Sequence, residues 1–197
     1  MIGDVSSPAL RRAIVLVALL NLGYFAIEFS AAISIGSVSL FADSIDFLED
    51  ASVNLLILLA LGWSLAARAR VGMALALILL VPGLATLWAV WQKISLAAPP
   101  EPLTLSLVGV GALAVNLTCA LILARFRSHS GSLTKAAFLS ARNDAYANVA
   151  IIATGLATAW TLSIWPDVIV GLGIAAMNAG AAKEVWDAAR AERQAAT

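Results

Sequence analysis

Along this chain apolar residues neither alternate nor keep to one narrow stripe. They fill long runs, broken by short polar gaps that often carry Pro or Gly. Six runs stand out, over about 12–33, 37–64, 71–91, 103–125, 134–160 and 166–186. A helix needs roughly 20 apolar residues to cross the hydrocarbon of a bilayer, so each run predicts a transmembrane helix. The gaps include SIGS (34–37), ARAR (67–70), QKISLAAPPEP (92–102) and FRSHSGS (126–132). Three prolines in the third of these forbid a continued helix. Pro82-Gly83 predicts a kink within the third run, and Pro166 falls in the first turn of the sixth, where a missing N–H costs nothing. In GLGIAAMNAGAA (171–182), Gly173, Ala176 and Gly180 make a small-residue face suited to close helix packing. The first run is too long for a cleaved signal and is read as a retained helix. The expected fold is all-α: an integral membrane bundle of six transmembrane helices forming one domain over residues 1–197.

Composition strengthens this and removes alternatives. With 61% hydrophobic and 12% charged residues and a mean hydropathy of +0.94, the chain lacks the surface of a soluble domain. No nucleic-acid partner is expected. The formal net charge is zero, but its distribution is informative. Arg11, Arg12, Arg68, Arg70, Arg125, Arg127, Lys135, Lys183, Arg190 and Arg193 fall at one set of helix ends, against Lys93 alone in the opposite gaps. The bias of positive residues toward the cytoplasm places both termini there, in an inner or plasma membrane of the bacterial type. Trp88, Trp91, Trp160 and Trp165 mark the outer boundary, Trp63 and Trp186 the inner one. The single Cys, Cys119, excludes an internal disulfide. Only about a dozen residues follow the sixth run, so no further domain is expected.

Against this background the second run is anomalous: SLFADSIDFLED carries Asp43, Asp46, Glu49 and Asp50. Asp46 and Asp50, four apart, share a helix face, and Asp43 extends it toward the outer end. The fifth run holds Asp144, with Ser140 four before it and Asn148 four after it on the same face. Counted along antiparallel helices at about 1.5 Å per residue, Asp46, Asp50 and Asp144 all arrive near the midplane. A lone carboxylate there costs roughly 2.5–3.5 kcal/mol, and several together repel. The group is tolerable when a cation or protons occupy it, which is what an antiporter exchanges. Oxygen donors of this kind suit divalent metals.

The bland alternative is a set of acids that only brace helices through basic partners. Arg142 is the only deep basic residue, on the far side of the Asp144 helix, and it can neutralise one acid at most. Asp43, nearer the interface, is as much a bracing candidate as a ligand. Glu28 and Glu49 are expected to tune or brace. Asn21, Asn54 and Asn116 are expected to bond helix to helix, and His129 to lie in a cytoplasmic loop.

These segments resemble the cation diffusion facilitator (cation efflux) family. GSVSLFADSIDFLED (36–50) is similar to the family's second span, with Asp where His is common. AAFLSARNDAYANVAII (136–152) is similar to the fifth, with Ser140 where His or Asp is usual, and WPDVIVGLGI (165–174) to the sixth. The resemblance covers nearly the whole chain. It implies a transporter that exports divalent cations (Zn²⁺, Co²⁺, Mn²⁺ or Fe²⁺) from the cytosol in exchange for protons, commonly as a dimer. It further implies Asp46, Asp50 and Asp144 as metal ligands, with Ser140 in the fourth position. The family's cytoplasmic C-terminal domain is not expected here, so a homodimer would form through membrane helices.

Ser is a poor Zn²⁺ ligand, so water, Asn143 or Asn148 is the alternative fourth donor, and an all-oxygen site favours manganese, iron or cobalt. No prosthetic group and no enzyme activity are expected. An intramembrane aspartyl protease ranks low because no GxGD occurs. The other reading is a non-transporting relative that binds metal or a partner in the membrane.

Overall fold

A computed structural model describes residues 8–60, 70, 84–125 and 131–195. The described residues are helical with no strand, in six segments: α1 (Pro8–Ile35), α2 (Val38–Ala60), α3 (84–96), α4 (Pro102–Ala124), α5 (Gly131–Thr161) and α6 (Trp165–Ala195). The expected all-α fold and the order of its helices hold. The Pro82-Gly83 kink, Trp63, Arg68 and His129 lie outside the described residues.

Helix ends follow local chemistry. Gly36 takes a left-handed φ of 61°, which only glycine adopts without cost, and ends α1. Ser37 N then donates to Ala32 O at 3.0 Å, and α2 starts at Val38. Ala97 and Leu162 end α3 and α5 in the same region, with φ of 50° and 49°, a strained choice for residues with a Cβ. Glu101 caps α4: its carboxylate accepts from Leu103 N at 3.0 Å and Thr104 N at 2.6 Å, while Pro102 takes the first helical position.

Two boundaries differ most from expectation. The gap expected at 92–102 shrinks to 97–101, because QKIS carries no proline and continues α3. The sixth helix runs to Ala195 rather than stopping near 186, since AARAERQA is made of good helix formers.

α1 packs on α2 and α4 on α5; α2–α6, α1–α4 and α5–α6 contacts are leaner, and α2 touches α5 only sparsely. Ala32, Leu40, Ala42, Leu105, Ala147, Ile151 and Ile174 form a core shared by five helices. The outside is apolar as well: Leu19, Leu121, Leu156 and Trp160 are 61–89% exposed. Meanwhile Asn21, Glu28, Asp43, Asn116 and Asn148 are buried. Polar groups inside and hydrocarbon outside is the arrangement lipid demands. Among the described residues, α1 and α4 alone are both long and apolar enough to qualify as spans on composition. α2 fails because every 18-residue window within it contains all four of its acids.

Candidate functional site

The acids of α2 do not form one row. Asp43 is fully buried and turns toward α1 and α5. Its Oδ2 accepts from Asn148 Nδ2 at 2.5 Å, and Asn148 Oδ1 in turn accepts from Asn116 Nδ2 at 2.9 Å. An amide relay thus runs from α4 through α5 to α2. Asn116 bonds between helices as expected, whereas Asn54 does not: its Nδ2 donates to Asp50 O of its own helix at 2.7 Å. Asn21 accepts the Cys119 thiol at 3.8 Å, a weak link between α1 and α4.

On the other side of Asp43 lies Glu28 of α1, also with no exposed surface. The two carboxyls lie within each other's electrostatic reach, and no donor from the described residues reaches Glu28 Oε1, Glu28 Oε2 or Asp43 Oδ1.

Asp46, Glu49 and Asp50 are partly buried further along α2. Asp46 lies within electrostatic reach of Asp144 on α5, and Asp144 of Asp50. Among the described residues, no three His, Cys, Asp or Glu side chains stand close enough to hold one metal ion between them. Asp46, Asp50 and Asp144 lie within electrostatic reach without closing into a coordination shell. Ser140 belongs to α5, one turn before Asp144, but its side chain, like that of Arg142, lies outside the described residues. Asn143 is exposed and lines a groove of about 430 Å³ between α5 and α6, with Tyr146 and Met177.

One acid was overlooked by motif reading. Asp167, in the first turn of α6, is fully buried and caps the start of α2. Its Oδ1 accepts from Ser37 Oγ (2.7 Å), Ser39 Oγ (2.6 Å) and Ser39 N (3.0 Å), and its Oδ2 from Val38 N (2.8 Å). Those N–H groups are orphans of a helix start, where the macrodipole also favours negative charge. Lys93 of α3, 6% exposed, stands 3.9 Å from Asp167 Oδ2 and donates to Gly36 O at 2.6 Å. The sequence held a signal for this cluster: the lone cation of the outer gaps, and serines on both sides of Val38.

The close approach of α6 to α2 is at Gly171, where a Cβ would meet Val38 Cγ1 at 2.7 Å and Ser39 N at 2.9 Å. On the small-residue face expected to pack closely, Gly173 and Gly180 meet no neighbour among the described residues.

No curated protein matches the chain. A family model, described as the cation efflux transmembrane domain, matches residues 14–190. That match takes in the acids of α2 and α5 and the clamp on α6 together. The chain therefore belongs to the cation efflux family, whose members are membrane transporters of metal cations.

Proposed function

We propose that this chain moves divalent cations (zinc, cobalt, manganese or iron) out of the cytosol, and that Asp46, Asp50 and Asp144 hold the ion in transit. Ser140 or water completes the shell, since Asn148 is committed to Asp43 and Asn116. The supporting observation is that carboxylates from α2 and α5 lie in each other's field inside a bundle whose outside is hydrocarbon. Repulsion keeps such groups apart until positive charge arrives, and a metal entering between them draws α2 and α5 together. The sparse α2–α5 contact leaves room for that closure.

Protons are the natural counter-ions, since carboxylates that lose a metal in a low-dielectric site take up protons in its place. The mechanism is alternating access across six spans with both termini in the cytoplasm. The Asp167 clamp binds α6 to the start of α2, so these two helices move together at that end.

Transport into vesicles tests this. In proteoliposomes an inward proton gradient is expected to drive metal efflux, and Asp50→Ala or Asp144→Ala to reduce it to the level of empty vesicles. Full flux in both variants overturns the assignment. Metal binding without flux points to the non-transporting relative instead.

A further inference from the structure

We propose that Glu28 and Asp43 form a second divalent-cation site, separate from the group of Asp46, Asp50 and Asp144. The inference rests on reading the chain as a divalent-cation carrier, and it adds two residues and a helix that reading does not use.

Three observations carry it. First, two fully buried carboxyls from different helices meet with three oxygens lacking any donor. Two buried carboxyls side by side need a proton or a cation between them, and a divalent ion neutralises both charges. Second, the two carboxyls project from helices packed directly on each other, so one ion can reach both.

Third, Asp43 is held from behind. Asn148 fixes its Oδ2 and Asn116 fixes Asn148, leaving Oδ1 turned to Glu28. This is how outer partners orient a metal-binding carboxylate. Glu28 Oε1 and Oε2 with Asp43 Oδ1 give three hard donors, and water completes the shell.

Its place along the helices gives it a role. Asp43 lies five residues past the start of α2, against eight for Asp46 and twelve for Asp50. At about 1.5 Å per residue it is one to two turns nearer the 36–37 connection. The second site is a station between the Asp46–Asp50–Asp144 group and that end of the bundle.

The test is stoichiometry on the full chain in detergent, by equilibrium dialysis against Mn²⁺, Co²⁺ or Zn²⁺ alone, with folding followed by thermal unfolding. The wild type is expected to bind about two ions of at least one metal per chain, and Glu28→Gln, Asp43→Asn or Asp50→Asn about one each. Glu28→Gln combined with Asp50→Asn should bind none. Using both Glu28→Gln and Asp43→Asn guards against one variant failing to fold.

One ion in the wild type, lost with Asp50→Asn and kept with Glu28→Gln, overturns the second site and leaves the proposed function standing. That outcome makes a proton shared by the two carboxyls the occupant. One ion lost only with Glu28→Gln does the reverse. No binding of any metal overturns both.

Discussion

Two buried acids in this molecule, about the same depth from solvent, live in opposite worlds. Asp167 receives four hydrogen bonds and stands beside Lys93. Glu28 receives none from the protein and faces another carboxyl. Burial alone therefore does not separate structural from functional acids; satisfaction does. A fully donated carboxylate at a helix start holds helices together, and its partners account for the cost of burying it. An unsatisfied one is a standing cost that only an occupant from outside the protein removes.

Substitution should expose the contrast most strongly at its two poles. Asp167→Ala strands Lys93 and the N–H groups of Val38 and Ser39, and should lower stability by about 3–5 kcal/mol. Thermal unfolding in detergent reads this. Glu28→Gln should leave the unfolding midpoint unchanged or raise it while removing one bound metal ion per chain. If both variants lose stability equally, the distinction fails.

Lys93→Met leaves Gly36 O without its donor and should cost about 1.5–3 kcal/mol on the same assay. Metal binding should survive at the wild-type level. Next comes Gly171→Ala, which pushes a methyl into the Val38–Ser39 backbone and should cost about 1–3 kcal/mol. Gly173→Ala, with no neighbour among the described residues within 4 Å, should be neutral or slightly favourable as a helix former. Equal losses would show that the α6–α2 approach is not where stability resides.

The smallest effect belongs to Glu101, a carboxylate satisfied at the exposed start of α4. Its bonds to Thr104, and to the Leu103 and Thr104 backbone, lower its pKa below the ordinary 4.5. A depressed folded value means the cap stabilises fully above the unfolded value and loses that effect as pH falls through the folded one. Glu101→Gln should flatten the acid limb of stability between about pH 5 and 3. Melting curves across that range check it.

Much of this was legible from residue order, for physical reasons. Lipid forces long apolar runs, so six helices could be counted, and Pro102 and Gly36 marked turns that the structure keeps. The family emerged from acids at fixed helical spacing. What escaped was set by side-chain direction. Asp43, one turn from Asp46, turns to α1 and α5, because three residues of helix rotate a side chain by about 300° rather than a full turn. Asp167 read as a motif letter, since nothing in sequence joins it to serines 128 and 130 positions away. Glu28 reads as a brace in the sequence because its lack of a donor is visible only in three dimensions.

The Asn116–Asn148–Asp43 relay has a mechanical consequence. Buried amides in an apolar bundle find no substitute partners when they slide, so each bond acts as an index pin between neighbouring rods. Turning α5 about its own axis would withdraw both pins at once, whereas tilting α4 and α5 together withdraws only the one at Asp43. Any stroke of this machine should carry those two helices as a single lever.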